Sequence, residues 1–162
     1  MNALAVSQIP DKAPRAYKML LDMEERGKDG EASLAPNTQS YGTLLKVCNR
    51  AAVGNSPKRK DEALRIALMT FEKLRKNPNV AIDPYKYAPL FAVIGTTSKG
   101  EKYEKLTREV FRLCCADGVL NDKQLEKLRR FTPKELFQKL VGTNASHVTV
   151  RDLPPEWSKN IR

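Results

Sequence analysis

The side chains that usually carry catalysis are sparse in this chain. His147 is the single histidine, so histidine triads and multi-histidine metal sites are excluded, and its surroundings read as a surface loop. Cys48, Cys114 and Cys115 cannot all pair and lack the spacing of a ligand set; two fall on apolar stripes and read as buried, reduced thiols. There is no glycine-rich phosphate loop, no Cys-x-x-Cys and no Asp cluster of the kind a metal-dependent nuclease needs. The sequence therefore predicts no catalytic residue, no metal, no cofactor and no small-molecule substrate. It reads as a binding protein.

The chemistry that is present is cationic. Net charge is +10, unevenly spread: residues 1–36 carry −1, 37–83 carry +5, 84–122 carry +1 and 123–162 carry +5. Such a balance suits a polyanion, because each Lys or Arg placed near a phosphate releases condensed counterions; the plain alternative is a solvated face that keeps the protein soluble. Lys46, Arg50 and Lys86 are candidate phosphate contacts if they share a face. Tyr85 is a stacking platform or partial core. The run Lys58-Arg59-Lys60 reads as a solvated loop tip.

These residues must be held by helices. Tyr41, Leu44, Leu45 and Cys48 fall at i, i+3, i+4, i+7, the spacing of one buried helical face. Tyr87, Leu90, Phe91 and Ile94 reproduce all four, each displaced by 46 residues. A second helix repeats as well, over 13–27, 63–77 and 104–118, with stripes Ala16, Leu20, Met23; Leu64, Ala67, Phe71, Leu74; and Leu106, Val110, Leu113, Cys114. The unit is helix A, turn, helix B, linker. A period of this size means stacked helical hairpins, since no single unit can bury its own apolar face.

The run Asn37-Thr38-Gln39-Ser40-Tyr41-Gly42-Thr43-Leu44-Leu45, followed by Glu62-Ala63-Leu64 and Phe71-Glu72-Lys73-Leu74, resembles a pentatricopeptide repeat. Asp83 and Asp122 sit where that motif closes, and the likeness covers about residues 1–140. The linkers here are longer than in the family unit of roughly 35 residues, and the Trp and Leu-Gly of the tetratricopeptide repeat are missing. The resemblance implies binding of single-stranded RNA in mitochondria or plastids, one repeat to one base. On that pattern the repeat 37–83 reads with Gly42 and Asp83 and flanks the base with Gln39. The repeat 84–122 reads with Ala88 and Asp122, flanked by Tyr85; Asn37 closes a partial repeat, 1–36. Arg50 takes the family's phosphate-contacting position, and Thr96 stands at the matching place. Gly42 and Ala88 stand where the family usually has Asn, Thr or Ser. Asn37, Asp83 and Asp122 read equally as helix N-caps.

The rest of the chain fits between these units. Met1 to Ser7 reads as the tail of a helix A, making the chain a fragment or its first repeat a degenerate cap. MNALAVSQIP lacks the basic start and apolar run of a signal peptide and the Arg of a transit peptide, and no run approaches a membrane span. Residues 27–36 read as a flexible linker, 53–61 as the longest loop and 96–100 as a turn. Pro89 predicts a kink or a late helix start. Thr132-Pro133-Lys134-Glu135 reads as a capping box with proline at N1. Residues 123–141 read as a degenerate final hairpin. Val148-Thr149-Val150 alternates like a strand, and Leu153 to Trp157 reads as an extended segment that caps the last hairpin. The expected fold is all-α: a right-handed stack of antiparallel hairpins, an α-solenoid over 1–141, with a non-helical tail over 142–162. The expected partner is single-stranded RNA. The alternatives are a protein-interaction scaffold, or the substrate-holding part of a larger enzyme.

Overall fold

The computed structural model describes the chain apart from residues 8, 10, 54, 55, 98, 143–146 and 162, and apart from the side chains of Ala5, Val6 and Pro84. Parts of the expected loop over 53–61, the expected turn over 96–100 and the expected tail over 142–162 thus lie outside the described residues. Everything regular is helical, with no strand among the described residues. The chain divides into two compact units, Met1–Ile82 and Asp83–Arg162.

The first unit holds α1 (Asn2–Val6), α2 (Lys12–Lys28), α3 (Thr38–Ala52) and α4 (Pro57–Lys76). Helices α3 and α4 form a tightly packed hairpin, α2 packs on both, and α1 lies on α3. All four apolar residues of the sequence stripe, Tyr41, Leu44, Leu45 and Cys48, are buried. The start of α3 is fixed by Asn37, whose Oδ1 accepts the Ser40 N–H at 3.0 Å while Ser40 Oγ accepts the Asn37 N–H at 3.4 Å. The reciprocal bonds satisfy two donors that a helix end otherwise leaves orphaned. Tyr41 then ties three helix ends together. Its hydroxyl donates to Glu24 of α2 at 3.3 Å and accepts from Asn77, just past α4, at 3.4 Å; Glu24 also takes the Lys73 ammonium at 2.6 Å.

Two expectations for this unit are corrected. Helix α4 begins at Pro57, so Lys58-Arg59-Lys60 lie in its first turn and not at a loop tip; proline at N1 is already set to the helical φ and lacks only an N–H that the first turn would not use. Residues 27–36 are not an open linker: α2 continues to Lys28 and Ala32–Leu34 form a 3-10 turn. Gly27 is needed for this, because a Cβ there would meet the Cβ of Ala35 at 2.8 Å.

The second unit holds α5 (Pro84–Thr97), α6 (Gly100–Ala116), α7 (Asp122–Phe131) and α8 (Lys134–Val141), then 3-10 turns at Val150–Asp152 and Pro155–Trp157. Helix α5 packs on α6 and α7, and α8 lies against both α6 and α7. Tyr87, Leu90, Phe91 and Ile94 are buried, as were their counterparts 46 residues earlier. The Tyr87 hydroxyl bonds the Asp117 carboxylate just past α6, the place Asn77 holds relative to Tyr41. The same tyrosine therefore locks the base of each hairpin.

Four readings change here. Helix α5 runs without interruption from Pro84 through Pro89 to Thr97, so of the two expected outcomes the late start does not occur; a proline at this place forgoes one intrahelical bond. Helix α8 starts after Pro133, which is extended at φ −52°, ψ 143°, and no side chain caps it. Val148 to Val150 form no strand, because Val150 enters a 3-10 turn closed by Thr149 and Asp152. The tail is not extended at Trp157 either: it makes a second 3-10 turn, sets its indole edge-on to Phe111 at 5.5 Å, and accepts the Leu120 N–H at 2.9 Å.

Candidate nucleic-acid interface

In the first unit, helix α3 is buried almost all round. Its three exposed residues are Gln39, Lys46 and Arg50. They fall at i, i+7 and i+11, which at 100° per residue places them within an arc of about 40°. The solvent-facing strip of α3 is thus one polar and two cationic side chains. At its N-terminal end lies an open cavity of about 200 Å³ lined by Met1, Asn2, Asn37, Gln39, Ser40 and Thr43. Asn37 is exposed, but its carbonyl oxygen is engaged by both the N–H and the hydroxyl of Ser40, at 3.0 and 3.2 Å. Its amide N–H groups are what it still offers to solvent or a ligand. Thr43 donates to Asn2 Oδ1 at 3.2 Å on the cavity wall. Gly42 is buried: the residue assigned to base reading does not face solvent.

In the second unit, the counterpart of Gln39 is Tyr85, 61% exposed at the start of α5. The ammonium of Lys123, second residue of α7, lies 5.7 Å from its ring centre, within the range of a cation–π contact. Ala88 is half-buried, and Thr96 extends the same strip without a charge. Asp83 caps α5, its Oδ1 accepting the Tyr85 N–H at 2.8 Å. Its Oδ2 takes the Lys86 ammonium, also at 2.8 Å. Lys86 is only 6% exposed, so its charge is spent inside the protein on Asp83. Sequence alone could not show this, because residue 86 sits one place before the buried Tyr87 on a helix whose open side was not yet known.

Asp122 is a correction. The N-cap of α7 is Asn121, whose Oδ1 accepts the Gln124 N–H at 3.1 Å while Gln124 Oε1 accepts the Asn121 N–H at 3.2 Å. Asp122 is the first residue inside the helix, exposed, and its Oδ1 accepts the N–H of Val150 at 2.8 Å. Either neighbour could have capped the helix; Asn121 wins because Gln124 answers it three residues on. Lys123 was missed in the sequence, although it holds the second place of α7 as Tyr85 does of α5.

His147 is exposed. All three cysteines are buried and free. Burial pushes the thiols of Cys48 and Cys115 up to about 12, and that of Cys114 higher still, against an ordinary 9.0, so none supplies a thiolate near neutral pH. Among the described residues no group of His, Cys, Asp and Glu could hold a metal, and no helix is long and apolar enough to cross a membrane. Comparison with family models, with curated proteins and with solved structures gives no match for this chain.

Proposed function

We propose that the protein binds single-stranded RNA through the exposed strips of its A-type helices, as a small pentatricopeptide-repeat-like protein of organellar RNA metabolism. The right-handed stacking of its hairpins belongs to the same proposal. The observation that carries it is the strip on α3, where the only exposed residues are Gln39, Lys46 and Arg50. Two cations one helical turn apart match successive backbone phosphates, and a Gln at the end of the strip can donate to or accept from a base edge. Tyr85 with Lys123 adds a platform on which any base can stack. No catalytic group accompanies these residues, so the activity proposed is binding alone.

A second reading, a helical-repeat scaffold for protein partners, is favoured by α5, whose open strip of Tyr85, Pro89 and Thr96 carries no cation. Lys46→Ala combined with Arg50→Ala separates the two when compared with Lys58→Ala combined with Arg59→Ala, an equal loss of exposed charge at the start of α4. If the α3 strip is the interface, the first pair weakens RNA binding at least tenfold more than the second. Equal losses would point to diffuse attraction and against this face.

A further inference from the structure

The tail from residue 148 onward is seated by contacts that end-capping alone does not need. Arg129 donates to the Val148 carbonyl at 3.0 Å, Val148 and Leu153 are buried, and Trp157 lies on Phe111. Asn160 closes the far end, its N–H on the Gly118 carbonyl at 2.8 Å and its amide on that of Asp117 at 2.8 Å. Gly118, at φ +67°, leaves the space for this: a Cβ there would meet Lys159 Cγ at 2.8 Å. Between these anchors, the Val150–Asp152 turn puts the N–H of Val150 on Asp122.

That bond decides where the turn lies. Asp122 is not required as a cap, since Asn121 caps α7, so its carboxylate is available to hold something 28 residues away. It is followed directly by Lys123, whose ammonium sits over the exposed ring of Tyr85. Arg151, next after Val150, is exposed. Tyr85, Lys123, Asp122, Val150 and Arg151 thus form an unbroken series of bonded or touching neighbours within one unit.

We propose that this turn is part of the nucleic-acid face, and that Arg151 is a binding residue for a backbone phosphate of the nucleotide whose base stacks on Tyr85. The inference rests on the RNA reading above. Chemically the series is complete for a nucleotide: an aromatic face for the base, and two cations for the phosphodiester. The bond from Val150 occupies one oxygen of Asp122. A guanidinium suits the site because its fork can take two phosphate oxygens at once.

Three variants of the full chain test this, each titrated with a fluorescent single-stranded oligouridylate at two salt concentrations. Arg151→Ala removes the cation. Lys159→Ala removes an equal charge from the same tail, at the Gly118 end. Val150→Pro removes the N–H that reaches Asp122 and leaves the charge of the turn unchanged. Proline fits there, since Val150 is the first residue of its turn and Thr149 before it is already extended at φ −110°, ψ 168°. Arg151→Ala is expected to weaken binding about tenfold and to shorten the log–log salt slope by about 0.7, one phosphate contact. Lys159→Ala should change affinity less than twofold. Val150→Pro should weaken binding with the salt slope of Arg151→Ala and add nothing to it in the double variant. Equal effects of Arg151→Ala and Lys159→Ala, with wild type binding normally, overturn the role of Arg151 and leave the RNA reading standing. If wild type binds no RNA at low salt, the RNA reading fails and this inference falls with it. Fluorescence of Trp157, the single tryptophan, reports whether the tail stays docked in each variant; a lost affinity that coincides with an undocked Trp157 in Arg151→Ala counts against a direct contact.

Discussion

Asp83→Asn is the most instructive single change, because the structure assigns the carboxylate two duties that the substitution separates. The cap survives: an Asn oxygen can accept the Tyr85 N–H as Asp83 Oδ1 does now, at 2.8 Å. The ion pair does not. Lys86 would keep its ammonium in a site where its side chain is 8% exposed, facing a neutral amide. Breaking a fully buried pair on one side costs about 3–5 kcal/mol; the Asp83 side chain is 33% exposed, and solvent screening brings the expected loss to about 1–2 kcal/mol. For a unit of this size that lowers the melting temperature by about 5–10 °C. Lys86→Met removes the buried charge and leaves Asp83 partly solvated, so it should cost less. The double variant should recover most of the loss, with a coupling of about 1 kcal/mol in the mutant cycle. Circular-dichroism melts measure all four corners. A wild-type melting temperature for Asp83→Asn would refute the reasoning, since the pair would then contribute nothing. The same variant tests base reading. An ionised carboxylate only accepts, which favours the ring N–H of uracil and guanine over adenine and cytosine; an amide can also donate. The ratio of poly-U to poly-A affinity should fall by about fivefold, the equivalent of one hydrogen bond of about 1 kcal/mol.

Thr107→Val should raise stability by about 1 kcal/mol, because the Thr107 hydroxyl is buried with no hydrogen-bond partner; a lower denaturation midpoint would contradict this. Trp157→Ala should destabilise the protein by about 2–3 kcal/mol through the lost packing on Phe111, and an unchanged melt would mean the tail carries no stability. Alkaline pH should unfold the chain early. The thiols of Cys48 and Cys115 ionise at about 12 when folded and near 9.0 when exposed, so the unfolded state loses protons first and stability, intact below pH 9, falls by about 1.4 kcal/mol per pH unit for each thiol between those values. Burial of Tyr41 and the Glu24 carboxylate beside Lys73 raise those two groups as well, steepening the fall above pH 10. Cys48→Ala should flatten the decline, and a pH-independent stability from 8 to 11 would contradict it.

The helices were legible because burial writes a period into the chain. Tyr41, Leu44, Leu45 and Cys48 and their counterparts at 87, 90, 91 and 94 are all buried, as a stripe of that spacing requires. Helix ends were read less well, because neighbouring residues compete for one cap. Asn121 and Asp122 are both good caps, and only the reply from Gln124 decides between them. The candidate site was legible on α3, where Gln39, Lys46 and Arg50 do share a face, while Gly42 does not join them. It was not legible on α5. Lys86 points into the protein because Asp83 is there to receive it, and the cation beside Tyr85 comes from Lys123, a contact set by packing between helices and invisible to spacing along one of them. The tail was misread for a related reason: Val150 is fixed by Asp122, 28 residues away.

The central claim is that the exposed cations meet RNA phosphates. A filter-binding titration of wild type with single-stranded RNA across ionic strength tests it most directly. With Lys46 and Arg50 each meeting one phosphate, the α3 strip alone should give a log–log slope of about −1.4, at about −0.7 per contact on a single strand. No binding at low salt, or binding that does not weaken as salt rises, would contradict the account.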